Sequence, residues 1–150
     1  MRKITLFFSS VFGLGYISKA PGTVSSVGAA LLWYFFAPED YFIQAFVIIV
    51  AVFASIVFSS AAEKIYKTTD DGRITIDELA GMWISLAFLP KTALFAILGF
   101  VLFRFFDIKK PWIIDKAQKF KGGLGITADD VVAGVFANII LQALYHLCLK

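Results

Sequence analysis

Residues 41–62, YFIQAFVIIVAVFASIVFSSAA, form a run of 22 residues without a single charged side chain. As an α-helix the run would be about 33 Å long, which matches the ~30 Å hydrocarbon core of a bilayer. Inside a bilayer the backbone polar groups must be satisfied within helices or closed barrels. The run therefore predicts a membrane-spanning helix and indicates an all-α chain.

The composition of the whole chain supports a membrane protein. Of its 150 residues 59% are apolar and 17 are phenylalanine, whereas roughly half of a soluble domain is apolar. The length fits a single domain over residues 1–150. Because the chain has one cysteine, Cys148, and one histidine, His146, we exclude an internal disulfide and a metal site built from several such residues. The predicted fold is an integral membrane helical bundle.

The remaining apolar segments predict both spanning and shorter helices. Residues 131–149 are long enough to cross a bilayer, and residues 24–37 would need tilt or local thinning of the membrane. Residues 1–20 have a short basic start and an apolar run of about eleven residues, too short to span. We interpret them as a short interfacial or re-entrant helix, with a cleaved signal peptide as the alternative.

The topology depends on residues 79–106, which could be one tilted, kinked span or a hairpin folded at Pro90 and Lys91. Lysine and arginine favour the cytoplasmic side of a membrane. With Arg2 on that side, the hairpin leaves only Lys91 and Lys150 outside. We therefore prefer the hairpin, which also returns the end of the segment to the inner surface.

With this topology, the concentrated acidic residues face the cytoplasm. They are Asp70, Asp71, Asp77, Glu78, Asp107, Asp129 and Asp130. Ionised groups beside hydrocarbon are costly, so a cluster of them implies a compensating cation. Ligands that are all oxygen favour a hard ion, Mg²⁺ before Mn²⁺ or Ca²⁺.

Two other interpretations of the acidic residues are weaker. An EF-hand calcium loop over residues 67–78 would place Lys67 at the first ligand position, where a cation repels the ion. Helix capping by Thr75 and Thr127 would account for the acids that follow them. Capping leaves Asp107 unexplained, because that residue falls at a predicted helix C-terminus, where the dipole disfavours an anion.

Candidate phosphate-binding groups lie near the same predicted surface. Gly123 and Gly125 stand just before a predicted helix start, where backbone N–H groups can bind phosphate. Lys19, Thr23 and Arg104 add two cations and a hydroxyl within reach. The alternatives are a flexible glycine turn and basic residues that serve only as cytoplasmic anchors.

Four motifs resemble those of the bacterial phosphatidylglycerophosphatase A family. They are KAPGTVSS at residues 19–26, ITIDELAGMW at 74–83, FRFFDIKKPW at 103–112 and GGLGITADDVVAG at 122–134. The resemblance implies a magnesium-dependent hydrolase of the bacterial cytoplasmic membrane, with its active site facing the cytoplasm. Such an enzyme converts phosphatidylglycerophosphate to phosphatidylglycerol and phosphate. The implied partner is a membrane phospholipid, with no nucleic acid.

The resemblance also implies roles for individual residues. The implied metal ligands are Asp77, Glu78, Asp107, Asp129 and Asp130. The implied phosphate-binding residues are Lys19, Thr23, Arg104, Gly123 and Gly125. The implied catalytic residues are Asp77, Asp130, Lys19 and Arg104. The motifs leave open whether one or two metal ions bind, and whether Asp77 or Asp130 is the general base.

The sequence offers no clear covalent nucleophile for a phosphatase. Cys148 is followed by only two residues, His146 is solitary, and no Asp-x-Asp motif occurs. Direct attack by a metal-activated water is the mechanism that remains.

Three rival functions remain open at this point. A small ion-coupled transporter would place its acids near the membrane midplane. A structural subunit that binds anionic lipids would need the lysines but not the acids. A phosphatase acting on another phospholipid monoester would share the same chemistry.

Overall fold

The computed structural model describes residues 2–17, 19–111, 114 and 122–149, with side chains described up to residue 147 of the last segment. Within these ranges the chain forms helices and turns, and no strand is present, which confirms the all-helical prediction. The α-helices are α1 (Arg2–Ser9), α2 (Pro21–Phe36), α3 (Tyr41–Tyr66), α4 (Ile76–Ser85), α5 (Ala93–Lys109) and α6 (Gly123–Leu144). A 3₁₀ turn, Leu14–Tyr16, precedes α2, and a π-helical turn, Tyr145–Leu149, follows α6.

Local chemistry accounts for the ends of two of these helices. At the start of α3 the Asp40 carboxylate accepts a hydrogen bond of 2.9 Å from the Ile43 N–H, and Lys67 ends the helix in the left-handed region at φ 57°. At the start of α5 the Thr92 hydroxyl accepts a bond of 3.3 Å from the Phe95 N–H. Both caps satisfy a backbone donor that would otherwise have no partner inside its helix.

Among the residues that the structure describes, two helices are long and apolar enough to cross a membrane. They are Tyr41–Tyr66 and Gly123–Leu147, and only 17% of the most apolar stretch of the first is buried within the protein. The exposed side chains of α3 include Phe42, Phe46, Ile49 and Phe53. Such a surface is suited to lipid contact, because large exposed apolar faces are rare on soluble monomers.

Residues 79–106 form a hairpin, as preferred from the sequence. The helices α4 and α5 are separate, joined by residues 86–92, and they pack against each other and against α6. The helix α4 ends at Ser85, five residues before the predicted bend at Pro90.

Side chains on α6 account for this early helix end. The Asn138 amide donates hydrogen bonds to the carbonyl oxygens of Ser85 (3.1 Å) and Ala87 (2.9 Å). Gln142 donates a third, of 3.0 Å, to Ala87. Carbonyl groups freed at a buried helix end require such partners. The two polar residues of α6 thus stabilise the turn of the hairpin.

The last helix begins earlier than the sequence predicted, at Gly123 rather than near residue 131. Thr127 therefore lies inside α6, where its hydroxyl shares a hydrogen bond of 2.7 Å with that of Ser55 on α3. The Thr75 hydroxyl makes no capping bond and accepts one of 2.8 Å from Ser25 on α2. The capping interpretation is therefore wrong for Thr127, which lies inside its helix. Thr75 occupies the N-cap position of α4, with Asp77 and Glu78 in the first turn, but its hydroxyl bonds to Ser25 rather than to a backbone N–H.

Close contact between α4 and α6 sets the centre of the bundle. A Cβ added to Gly134 on α6 would collide with the Gly81 carbonyl oxygen of α4. A Cβ on Gly81 would lie 2.6 Å from the Asp130 carbonyl oxygen. Glycine at both positions lets the two backbones touch, as small residues do in membrane helix pairs.

The bundle has two distinct ends. The acidic end contains the start of α2, the start of α4 and the last turns of α5. At the far end, Lys91 donates a hydrogen bond of 2.9 Å to the Ala37 carbonyl, and the Phe88 N–H donates one of 2.7 Å to Gln44. The 16 residues of α2 separate the ends by about 24 Å.

Candidate active site

Three carboxylates converge at the acidic end. Asp77 and Glu78 lie in the first turn of α4, and Asp130 lies on α6; one oxygen of each falls within 4.8 Å of the others. Oxygens on opposite sides of a bound Mg²⁺ stand about 4 Å apart, given Mg–O distances near 2 Å. A small movement of side chains would therefore bring all three oxygens to one ion.

Several carboxylate oxygens at this site are buried without a partner. Within the described part of the chain, no hydrogen bond reaches Asp77 Oδ1, Glu78 Oε2, Asp129 Oδ1 or Asp130 Oδ2. A buried carboxylate oxygen without a partner carries a large desolvation cost. A hard divalent cation fits this set of donors, because it bonds to oxygen and offsets negative charge.

Without a cation, the electrostatics of α4 favour proton binding. Burial raises the pKa of Asp77 well above its usual range, and the nearby charges of Glu78 and Asp130 add to the effect. Burial also raises the pKa of Glu78 to about 7, with a further contribution from Asp107. Desolvation and like charges both oppose ionisation, so protons and a metal ion would compete for these oxygens.

Two basic side chains border the cluster. Arg104 on α5 forms an ion pair with Asp107 one turn further along the helix. Lys110, just after α5, forms an ion pair of 2.6 Å with Asp129. Of the five predicted metal ligands, three therefore converge and two are paired with cations at the margin. Their roles as ligands stay predictions.

The start of α2 adjoins this cluster. A Cβ added to Gly22 would collide with Glu78 Oε1 and would lie 3.2 Å from Arg104 Nη1. The absence of a side chain at Gly22 thus allows α2, α4 and α5 to meet. Thr23 follows it and is half-buried, whereas Lys19 is exposed. The predicted phosphate-binding role of both residues stays a prediction.

The backbone N–H groups of Gly123 and Gly125, in the last motif, already donate hydrogen bonds within the protein. The Gly123 N–H donates a hydrogen bond of 3.0 Å to Ser60 Oγ, and the Gly125 N–H donates one of 2.9 Å to the Gly122 carbonyl. A Cβ on Gly123 would collide with the Ile56 carbonyl of α3. These contacts give both glycines a structural role. Their phosphate-binding role stays a prediction that these bonds do not support.

Sequence reasoning missed two residues of the site. Lys110 was not among the predicted site residues, but it pairs with Asp129. Gly22 was not among them either, but it lies against Glu78 and Arg104. A signal for Lys110 was available, since it lies three residues after Asp107 in the same motif.

Comparison with known proteins identifies the family. The family model described as Phosphatidylglycerophosphatase A matches residues 7–145. The chain belongs to the phosphatidylglycerophosphatase A family. Membership confirms both the resemblance noted in the four motifs and the predicted enzyme class, a phosphatase. The match includes all three converging carboxylates, Asp77, Glu78 and Asp130.

Three individual relatives match this chain over most of their length. A phosphatidylglycerophosphatase A of Escherichia coli is 34% identical over 137 residues, covering 90% of this chain and 80% of the relative. One of Haemophilus influenzae is 36% identical over 143 residues, covering 90% and 85%. A Bacteroides thetaiotaomicron protein, provisionally named phosphatidylinositol-3-phosphatase, is 36% identical over 138 residues, covering 87% and 86%. No solved structure matches the chain.

Proposed function

We propose that this protein hydrolyses the terminal phosphate monoester of phosphatidylglycerophosphate, giving phosphatidylglycerol and inorganic phosphate. The observation that carries the proposal is the convergence of Asp77, Glu78 and Asp130, with Arg104 alongside, in a chain of this family. Two of its relatives bear the name of that activity.

We propose Mg²⁺ as the cofactor, held by Asp77, Glu78 and Asp130. The unpartnered buried oxygens of these residues support the assignment. Asp107 and Asp129, at the margin of the site, would add further oxygen ligands or hold the other ligands in position. Bound there, Mg²⁺ supplies a positive charge beside the phosphate and lowers the pKa of a coordinated water.

The protein's own side chains have separate tasks in the reaction. Asp77 or Asp130 accepts a proton from the attacking water as the new P–O bond forms. The bond between phosphorus and the glycerol oxygen breaks, and that oxygen takes up a proton from the same carboxyl group or from solvent to give the alcohol. Arg104, aided by Lys19, offsets the charge on the phosphate oxygens. No covalent phosphoenzyme forms.

We propose that the bundle lies in the bacterial cytoplasmic membrane, with α3 and α6 as spans and the acidic end facing the cytoplasm. The two long apolar helices support the embedding, and the basic residues Arg2 and Lys3 on α1 support the orientation. A lipid substrate can then leave its acyl chains in the bilayer while its phosphate enters the site.

Phosphate release in detergent tests the proposal. The parent protein and Asp130→Asn are compared on phosphatidylglycerophosphate, with Mg²⁺ and with a chelator. We expect release by the parent with Mg²⁺, little release with chelator, and a loss of at least about a hundredfold in the variant. A folded parent that releases no phosphate with any divalent ion would refute the proposal.

A second candidate substrate is a phosphatidylinositol monophosphate, which the provisional name of the Bacteroides relative favours. Hydrolysis of both lipids is measured in parallel at equal surface concentration. The lipid with the higher kcat/KM is the preferred substrate. A transporter fits less well, because the carboxylates lie at one end of α2 and α5 rather than half-way along them.

A further inference from the structure

An apolar groove runs along the outside of the bundle between α2 and α5. Its volume is about 380 Å³, and its lining includes Val27, Leu31, Phe35, Ala96 and Phe100. The groove is open to the surroundings, and Leu31 and Phe35 are more than half exposed. Among the described residues that line it, Tyr34 alone carries a polar group on its side chain.

The groove points towards the acidic cluster. On α2 the residues Thr23, Val27, Leu31 and Phe35 follow one another at intervals of four, so they form a single row on the helix surface. The first member of the row, Thr23, lies directly after Gly22, which touches Glu78. One wall of the groove therefore ends at the site.

The opposite wall ends there too. On α5 the residues Ala96, Phe100 and Arg104 form a second row with the same spacing. A Cβ on Gly22, the residue before Thr23, would lie 3.2 Å from Arg104 Nη1, so the start of α2 lies beside the end of the α5 row. The groove thus carries apolar side chains along its length, and the Thr23 hydroxyl and the Arg104 guanidinium belong to residues one helical turn beyond its lining.

We propose that this groove holds one acyl chain of the lipid substrate while the lipid phosphate lies between Thr23 and Arg104. This inference rests on the proposed function. The apolar walls of the groove extend for about 12 Å along α2, from Val27 to Phe35, and one further helical turn reaches Thr23. That layout matches a molecule with a charged head and a long apolar tail entering from the bilayer.

The groove orients the substrate rather than attracting it. Lipid tails are as apolar as leucine side chains, so moving a chain from bilayer to groove gains little hydrophobic free energy. A chain fixed along α2 and α5 nevertheless limits where the phosphate can lie relative to Asp77 and Asp130. Positioning of this kind contributes to kcat/KM.

Filling the groove with a bulky side chain tests the proposal. Ala96→Trp adds an indole to the α5 wall of the groove, four residues before Phe100 and eight residues before Arg104. The matched control is Ala143→Trp, which adds the same side chain to an exposed face of α6 outside the groove. Each protein is assayed on phosphatidylglycerophosphate with either oleoyl or hexanoyl chains.

We expect Ala96→Trp to lower kcat/KM about tenfold for the oleoyl lipid and less than about twofold for the hexanoyl lipid. The control should change neither value by more than about twofold. Equal losses on both lipids, or no loss on either, would overturn the inference. If the parent hydrolyses neither lipid, the proposed function fails. Photolabelling then tests separately whether the groove binds an acyl chain.

The labelling experiment needs no catalysis. Phosphatidic acid and phosphatidylcholine, each with a diazirine in mid-chain, are photolysed with the parent in nanodiscs. We expect the phosphomonoester to label peptides covering residues 27–35 and 93–100 several-fold more than the choline lipid does, and Ala96→Trp to remove the difference. Equal labelling by the two lipids would mean that the groove holds only bulk lipid, which would contradict the inference.

Discussion

Replacing Asp130 by asparagine should stabilise the metal-free protein while abolishing its activity. The oxygens of Asp77, Glu78 and Asp130 lie within 4.8 Å of one another. At an effective dielectric constant near 20, two unit charges at that distance repel by about 3.5 kcal/mol. Asp130→Asn removes two of the three repulsions and keeps the shape of the side chain.

The net effect is smaller than this sum, because protonation already relieves part of the repulsion. The raised pKa of Glu78, about 7, indicates such relief near neutral pH. We therefore expect Asp130→Asn to stabilise the chelator-treated protein by about 2 kcal/mol, equivalent to a rise in Tm of about 4–8 °C. Scanning fluorimetry in detergent at one fixed scan rate measures the shift.

A neighbouring residue provides the matched control. Asp129 has the same side chain and is equally buried, but it is paired with Lys110 at 2.6 Å. Asp129→Asn leaves that lysine without its partner, and we expect Tm to fall in the same buffer. The two variants should therefore move Tm in opposite directions.

Added Mg²⁺ should raise the Tm of the parent through binding to the folded state, and Asp130→Asn should lose most of that rise. If Asp130→Asn instead lowers Tm with chelator as much as Asp129→Asn does, the carboxylate contributes to stability without a metal. The cluster would then not be a repulsive, cation-dependent site.

Three further outcomes follow from the site and the helix contacts. Because burial raises the pKa of Glu78 to about 7, titration calorimetry should show Mg²⁺ affinity rising with pH from 6 to 8 and protons released on binding. Gly22→Ala should lower kcat by at least about tenfold in phosphate-release assays, because its Cβ would collide with Glu78. Gly134→Ala should destabilise the fold by about 1–3 kcal/mol in thermal unfolding, because its Cβ would collide with the Gly81 carbonyl.

Each outcome has a control. An affinity for Mg²⁺ that is constant over this pH range would contradict the competition between protons and metal. Gly72→Ala serves for both glycine variants, since a Cβ there would meet only Pro21 Cγ at 3.9 Å, at ordinary contact distance. If that variant lost as much activity or stability as the other two, close packing at Gly22 and Gly134 would not be the cause.

The amino-acid sequence determined the class of fold and the identity of the acidic residues. The uncharged run at 41–62 required a long apolar helix, and α3 covers it. The basic residues around 79–106 favoured a hairpin, and α4 and α5 form one. The long helix was predictable because apolar length is a local property of the sequence, and the hairpin because basic residues favour one side of a membrane.

The tertiary structure decided which acids meet. Asp129 and Asp130 are adjacent in sequence, but one pairs with Lys110 and the other faces Asp77 and Glu78. The start of α6 was placed too late, because the acids resembled the first turn of a helix. A helix carries buried acids in its interior only where another helix supplies their partners, and that arrangement depends on packing.

The contact between α4 and α6 shows the physical reason most directly. Gly81 and Gly134 lie far apart in the sequence, and each alone would be read as a local weakness in a helix. Together they let two backbones touch, and this contact brings the carboxylates of α4 beside Asp130. The pairing of Gly81 with Gly134 is a property of the packed bundle. The sequence therefore determines which carboxylates are present, and the packing of α4 against α6 brings them together.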